Sequence, residues 1–226
     1  MFLLLVVGTV VATVMAAAVP TYSLNTRRTG ARDDRGFPLY YTDDRGQALR
    51  LCEDGSAHCI RAVPEDLAAP DGEALYWSAS TTLHSKRGPI DVEFALEAAF
   101  GDAGRPVVFD RIRVRGHLNQ KGRYILLHPY GRMRFRAITP REQRNVDVTH
   151  DRNCSVARKG RCRGNIDNYL RATRHPKGYI GFGQRKTRVK GGTVRNFLVL
   201  RTAKGKFIGK TAKFRVVGKK AGRLAR

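Results

Sequence analysis

An antiparallel β-sandwich is the fold predicted by this 226-residue chain, and three observations point to it. Short runs of β-branched, aromatic and aliphatic residues recur along the chain, each closed by turn residues. Several of these runs alternate apolar and charged side chains with a period of two, the mark of a strand with one wet face. The chain also holds 23 glycines, and no window sustains a helical period. The class that follows is all-β, immunoglobulin-like or jelly-roll-like, with one or two short helices at most.

Taken in order, Leu39-Tyr40-Tyr41 is a strand ended by the turn Asp43-Asp44-Arg45-Gly46, and Ala48 to Leu51 is a second ended by Asp54-Gly55. Residues 61–73, with Pro64, Pro70 and alternating acids and alanines, form an exposed connection. Leu75-Tyr76-Trp77 leads into Ser78 to Leu83, and Gly88-Pro89 breaks the chain. Val92 to Phe100 fits either period, but Val, Phe and the flanking Gly-Pro favour a strand. Val107, Phe109, Ile112 and Val114 approximate an alternation, with Arg111, Arg113 and Arg115 on the wet side. Tyr124 to Leu127 runs into the turn His128-Pro129-Tyr130-Gly131. Met133, Phe135 and Ala137 then alternate cleanly with Arg132, Arg134 and Arg136. Asn165 to Ala172 is a short helix carrying Ile166, Tyr169 and Leu170 inward. Tyr179 to Phe182, Val194 to Leu200 and Phe214 to Val217 close the set of strands.

Charge divides the chain in two. Residues 1–104 carry 9 Lys+Arg against 14 Asp+Glu, whereas residues 105–226 carry 34 against 5, giving +24 overall. One-sided charge on this scale implies an anionic partner or a heavy cost in self-repulsion. The cations crowd toward the end: Arg185, Lys186, Arg188, Lys190, Arg195, Arg201, Lys204, Lys206, Lys210, Lys213, Arg215, Lys219, Lys220, Arg223 and Arg226, with Phe197, Phe207 and Phe214 between them. On strands they would stand about 7 Å apart in rows on one face. The phenylalanines are expected to turn into the core.

Phe2 to Val19 contains no charge, and Ala16-Ala17-Ala18 supplies the small residues that a signal peptidase recognises. Residues 1–18 therefore read as an export signal, with an uncleaved anchor as the alternative. Arg27, Arg28 and Arg32 follow the apolar run and none precedes it, the reverse of the usual order. Residues 19–35 read as a flexible N-terminal segment and 36–217 as the β-rich domain, with a division into two subdomains near 104 as a variant. Residues 218–226 read as a basic tail.

In an oxidising compartment the simplest pairing of the four cysteines is local, Cys52–Cys59 and Cys154–Cys162, each worth roughly 2–3 kcal/mol in the chain-entropy account. Zinc is disfavoured, because intervals of six and seven residues exceed the usual knuckle.

The pieces FPLYYTDDRGQALRLCEDGSAHCI, EALYWSAS, VVFDRIRVRG, GRYILLHPYG and GYIGFG followed by RNFLVL resemble a family of uncharacterised secreted bacterial proteins over roughly residues 36–217. The resemblance implies a β-rich extracellular domain, often beside immunoglobulin-like modules, with no established activity. The segments after Val107 carry more Arg and Lys than the resemblance leads one to expect.

The chemical motifs are weak. Gly205 to Thr211 has three residues, not four, between its first glycine and the Gly-Lys-Thr element, and a strand follows where a phosphate loop needs a helix. It reads as a hairpin turn. His58, His84, His117, His128, His150 and His175 form no metal-ligand spacing, and His128 in its turn is the only candidate general base. Asp54, Ser56 and His58 superficially list a triad but lie too close in sequence to converge. Asp33-Asp34 and Asp43-Asp44 could hold calcium, yet Asp-Asp-Arg-Gly makes a good turn without it. No cofactor and no metal is expected. The functional expectation is an exported, non-enzymatic module whose basic half binds envelope polymer, anionic lipid or extracellular nucleic acid. An intracellular nucleic-acid-binding β protein and an enzyme of unrecognised class are the alternatives.

Overall fold

In the computed structural model the described residues are 28–29, 31–59, 72–139, 144–154 and 164–222. The first strands are β1 (Arg28–Thr29), β2 (Tyr41–Thr42), β3 (Ala48–Arg50), β4 (Glu73–Leu83) and β5 (Ile90–Phe100). A single 3-10 turn, Asp102–Gly104, leads to β6 (Pro106–Gly116), β7 (Gly122–His128), β8 (Gly131–Ala137) and β9 (Val146–Asn153). The chain continues with β10 (Arg171–Ala172), β11 (Thr187–Lys190), β12 (Leu198–Thr202), β13 (Phe207–Thr211) and β14 (Lys213–Lys220). Every strand pairing is antiparallel.

Two sheets result. The larger runs β1-β2-β3-β14-β4-β5-β6-β9, with β11 also on β14 and β10 on β11; the smaller runs β13-β12-β7-β8. Inward residues of both, among them Phe94, Val92 and Val114 from one and Leu126, Met133 and Leu200 from the other, form one hydrophobic core. The class is therefore the all-β antiparallel sandwich. That core draws on both sides of residue 104, and β14 carries the fold to Lys220, past the sequence boundary at 217.

The centre of the core rests on a β-bulge. Register slips between Leu75 and Trp77, so Leu75 faces Glu97 and Trp77 faces Leu96. The extra residue turns Tyr76 and Trp77 inward together, which simple alternation forbids. Buried polar tips need partners: Tyr76 Oη donates to the Pro38 carbonyl, and Trp77 Nε1 donates to the Leu170 carbonyl at 3.0 Å.

The expected helix over Asn165 to Ala172 is absent, since only Arg171–Ala172 is regular and it is strand. Ile166, Tyr169 and Leu170 are buried as expected, but long-range bonds hold them there. The Ile166 amide donates to Asp110 at 3.3 Å, and the Tyr169 amide donates to Asp43 at 3.0 Å. Tyr179 to Phe182 is likewise no regular strand. It lies on β14 through one bridge, Tyr179 to Lys219, so closely that a side chain at Gly181 would meet the Val216 carbonyl at 2.0 Å.

Asp43 is the hub of its turn, accepting from the amides of Arg45 at 3.0 Å, Gln47 at 2.7 Å and Tyr169 at 3.0 Å. Its oxygens serve the backbone, as does Asp33 Oδ1 with the Arg35 and Phe37 amides, while Asp33 Oδ2 accepts from the Arg35 guanidinium. Asp43→Ala is expected to lower stability by about 2 kcal/mol in urea unfolding, because the buried Tyr169 amide loses its acceptor. An unchanged midpoint would show that water replaces the carboxylate.

Cys52 and Cys59 form a disulfide with Cα atoms 5.1 Å apart. It caps a satellite cluster with Leu75, Ala95 and Val217 on the outer side of the larger sheet. Cys154 is buried and not a free thiol, while Cys162, its expected partner, lies outside the described residues. The expected signal at 1–18 and most of the connection at 61–73 lie outside them too.

Candidate anion-binding face

The smaller sheet turns alternate residues of β7, β8, β12 and β13 to solvent, and none of these strands contains an acid. Along β8, Arg132, Arg134 and Arg136 are exposed while Met133, Phe135 and Ala137 are buried. Register then assembles the face. Leu127 stands opposite Arg132 and Val199, Ile125 opposite Arg134 and Arg201, and Arg123 opposite Arg136. On the far strand, Lys210 pairs with Val199 and Phe207 with Arg201. The outcome is an apolar middle of Ile125, Leu127 and Val199 edged by six cations.

Neighbouring cations on one strand face sit about 7 Å apart, where like charges repel by roughly 0.6 kcal/mol even in water. With no acid in the sheet to offset this, a bound anion relieves it. At one end of the face a cleft of about 470 Å³ is lined by Arg123, Ile125, Arg134, Arg136 and Ala203, over the stacked rings of Tyr124 and Phe135. Three guanidinium groups around an apolar floor suit a phosphate, sulfate or carboxylate.

The outer face of the larger sheet is the contrast, because acids stand among its cations and several of them are paired. Arg111, expected on a wet face, is only 8% exposed. It reaches Glu97 at 2.8 Å, Asp151 at 2.9 Å and Glu73 at 3.2 Å. These ions hold its guanidinium firmly in the charged form despite burial. Arg115 binds Asp147 at 3.1 Å, and Arg113 faces Glu93 at 3.7 Å. A second cleft of about 420 Å³ mixes Arg113, Arg115, Arg144, Lys186 and Arg215 with Asp91 and Glu93.

The cations singled out in the sequence do not share one face. Lys204, Lys206 and Lys210 belong to the β12–β13 hairpin, and Lys210 and Arg195 approach the Phe197 ring at 4.3 and 5.9 Å. Arg188, Lys190, Lys213 and Arg215 lie on β11 and β14 of the larger sheet, with Lys186 beside them. Arg185 covers Phe182 at 4.2 Å, and Lys219, on the same strand as Lys220, is paired with Asp54. Of the phenylalanines, Phe214 is buried as expected, whereas Phe207 is exposed. Arg201 belongs to that C-terminal run of cations, whereas Arg123, Arg132, Arg134 and Arg136 lie before it. Their signal was the clean alternation in β8; what the sequence hides is that β12 and β13 lie beside it.

No family model matches the chain, and no curated protein or solved structure is detectably similar to it. The chemistry of the individual groups therefore carries the functional reading. His58 Nδ1 is buried without a hydrogen bond, and Asp54 is engaged by Lys219, Tyr179 and Ser56, so the histidine is not joined to the other two through that nitrogen. Those bonds hold Asp54 well below the usual carboxylate range, against the opposing effect of burial.

His128 is 4% exposed and stacks on Phe94 with ring centres 5.6 Å apart. Burial first, then the Arg195 charge, lowers its pKa to about 4. A depressed histidine means the unfolded chain binds the extra proton between about pH 6.5 and 4, so stability is full above that window and falls as pH drops through it. The loss is expected to reach about 3 kcal/mol at pH 4. His128→Phe should flatten that part of the stability profile in urea titrations, and an unaltered acid limb would assign the loss to other groups.

Proposed function

We propose that this chain is an exported, non-enzymatic β-module that binds anionic polymers or anionic membrane surfaces through the smaller sheet. The observation that carries the reading is the outward face of β7, β8, β12 and β13, six cations with no acid among them. Solvated surfaces normally intersperse both signs, as the larger sheet does, so an unmatched field on one face is the feature that calls for a partner. Export is supported by the apolar leader, by the Cys52–Cys59 disulfide and by the lack of a free cysteine among the described residues.

A solvent-exposed face of arginines and lysine favours binding by charge over stereochemical selection. Heparin and polyphosphate of equal charge density are thus expected to bind within about tenfold of each other. The test is retention of the folded, oxidised protein on both resins. Retention at about 0.1 M salt, with elution by higher salt, is expected; flow-through from both at that salt would remove the reading.

A further inference from the structure

Resting on that reading, we infer that the partner is an anionic lipid bilayer. Phe207 and Ile138 enter the headgroup–acyl boundary, and Arg123, Arg134 and Arg136 take lipid phosphates. Phe207 is 57% exposed and Ile138 59% exposed, among only four large apolar residues so exposed in the described chain. Both belong to the cationic face. Phe207 stands in register with Arg201 on the outward side, and Ile138 continues the alternation Arg132, Arg134, Arg136 one residue beyond β8.

A hydrophilic polymer rewards the cations but leaves both apolar side chains in water. A bilayer interface accepts both kinds of group, apolar tips at the acyl boundary and basic residues among the headgroups. The row Phe207, Arg201, Ile125, Arg134 spans about 14 Å across four strands, broad enough to lie on a membrane and not merely touch it. The arginine-lined cleft sits within this footprint, and its guanidinium groups suit the two free oxygens of a phosphodiester, with Ile125 and Ala203 against the glycerol carbons. The cleft on the larger sheet holds five cations beside Asp91 and Glu93, but Arg113, Arg115 and Arg144 are already paired with acids there, so it is the poorer seat.

The experiment is co-sedimentation of the folded, oxidised protein with phosphatidylcholine vesicles, with and without phosphatidylglycerol, beside a heparin-binding measurement. Wild type is expected to bind the phosphatidylglycerol vesicles at least about tenfold better than the neutral ones. The double variant Ile138→Ser/Phe207→Ser should lose about 30-fold on the anionic vesicles yet bind heparin within about twofold of wild type. In a separate Phe207→Trp variant, emission should shift to the blue with anionic vesicles and stay in place with heparin. Wild type that binds heparin but not anionic vesicles overturns the lipid inference and leaves the polyanion reading standing. Wild type that binds neither removes both. Undiminished vesicle binding by the double variant, or unmoved Trp emission, rejects insertion.

Discussion

Arg111→Met is expected to lower stability by about 4 kcal/mol, more than any surface charge substitution in this protein. Glu97 is fully buried on β5, and Arg111 Nη1 lies 2.8 Å from it. The same guanidinium serves Glu73 and Asp151 and lies 4.7 Å over the Phe109 ring. Methionine matches the stem but leaves a cluster of carboxylates on β4, β5 and β9 with its shared cation removed. Breaking one side of a buried pair typically costs 3–5 kcal/mol, because a desolvated charge remains. The pair itself adds little net stability, so Arg111→Met/Glu97→Leu should recover most of the loss. Urea unfolding at pH 7 decides it: a single-variant loss below about 1 kcal/mol, or a double variant no better than the single, would show that the cluster relaxes into water.

The second large effect concerns binding. Reversing Arg132, Arg134 and Arg136 to Glu is expected to weaken heparin binding by about a thousandfold at about 0.05 M salt. The three residues stand on one strand, exposed and without an acidic neighbour in the sheet. Reversing Lys186, Lys213 and Arg215 changes the net charge equally. Yet two of these line a cleft shared with Asp91 and Glu93, on the other sheet. Less than a fivefold loss is expected there, because total charge is the same and only local geometry differs.

Much of this architecture was legible before any coordinates. β3 to β8 appear in the sequence as apolar runs or period-two alternations, several of them closed by Asp-Gly, Gly-Pro or Pro-Tyr-Gly. The Cys52–Cys59 pairing followed from proximity alone. The misreadings have physical causes. Ile166, Tyr169 and Leu170 carry helical spacing, but Asp110, Asp43 and Trp77 hold that segment extended, and no local pattern encodes bonds of such long range. β9 escaped because it is an edge strand, exposed along most of its length, so burial leaves almost no trace in its composition. Arg111 read as solvent-facing because alternation assigns a face and not a depth; the carboxylates of β4, β5 and β9 supply the burial. The same limit applies to the candidate site. Charge density drew attention to the residues after Arg185. Strand order then divides those cations between two sheets and places β12 and β13 beside the arginine ladder of β8.

Salt dependence decides whether the acid-free face of the smaller sheet is the binding surface. Heparin affinity of wild type and of the two triple variants would be measured from about 0.05 to 0.3 M salt, and log K plotted against log salt concentration. Each cation that displaces a counterion contributes close to one unit of slope. A steep line is expected for wild type, a slope shallower by about three for the Arg132, Arg134 and Arg136 variant, and a change below about one for the Lys186, Lys213 and Arg215 variant. Equal loss of slope in both variants would mean that net charge, and not this face, governs binding. A loss confined to the larger-sheet variant would place the surface on the opposite side of the sandwich.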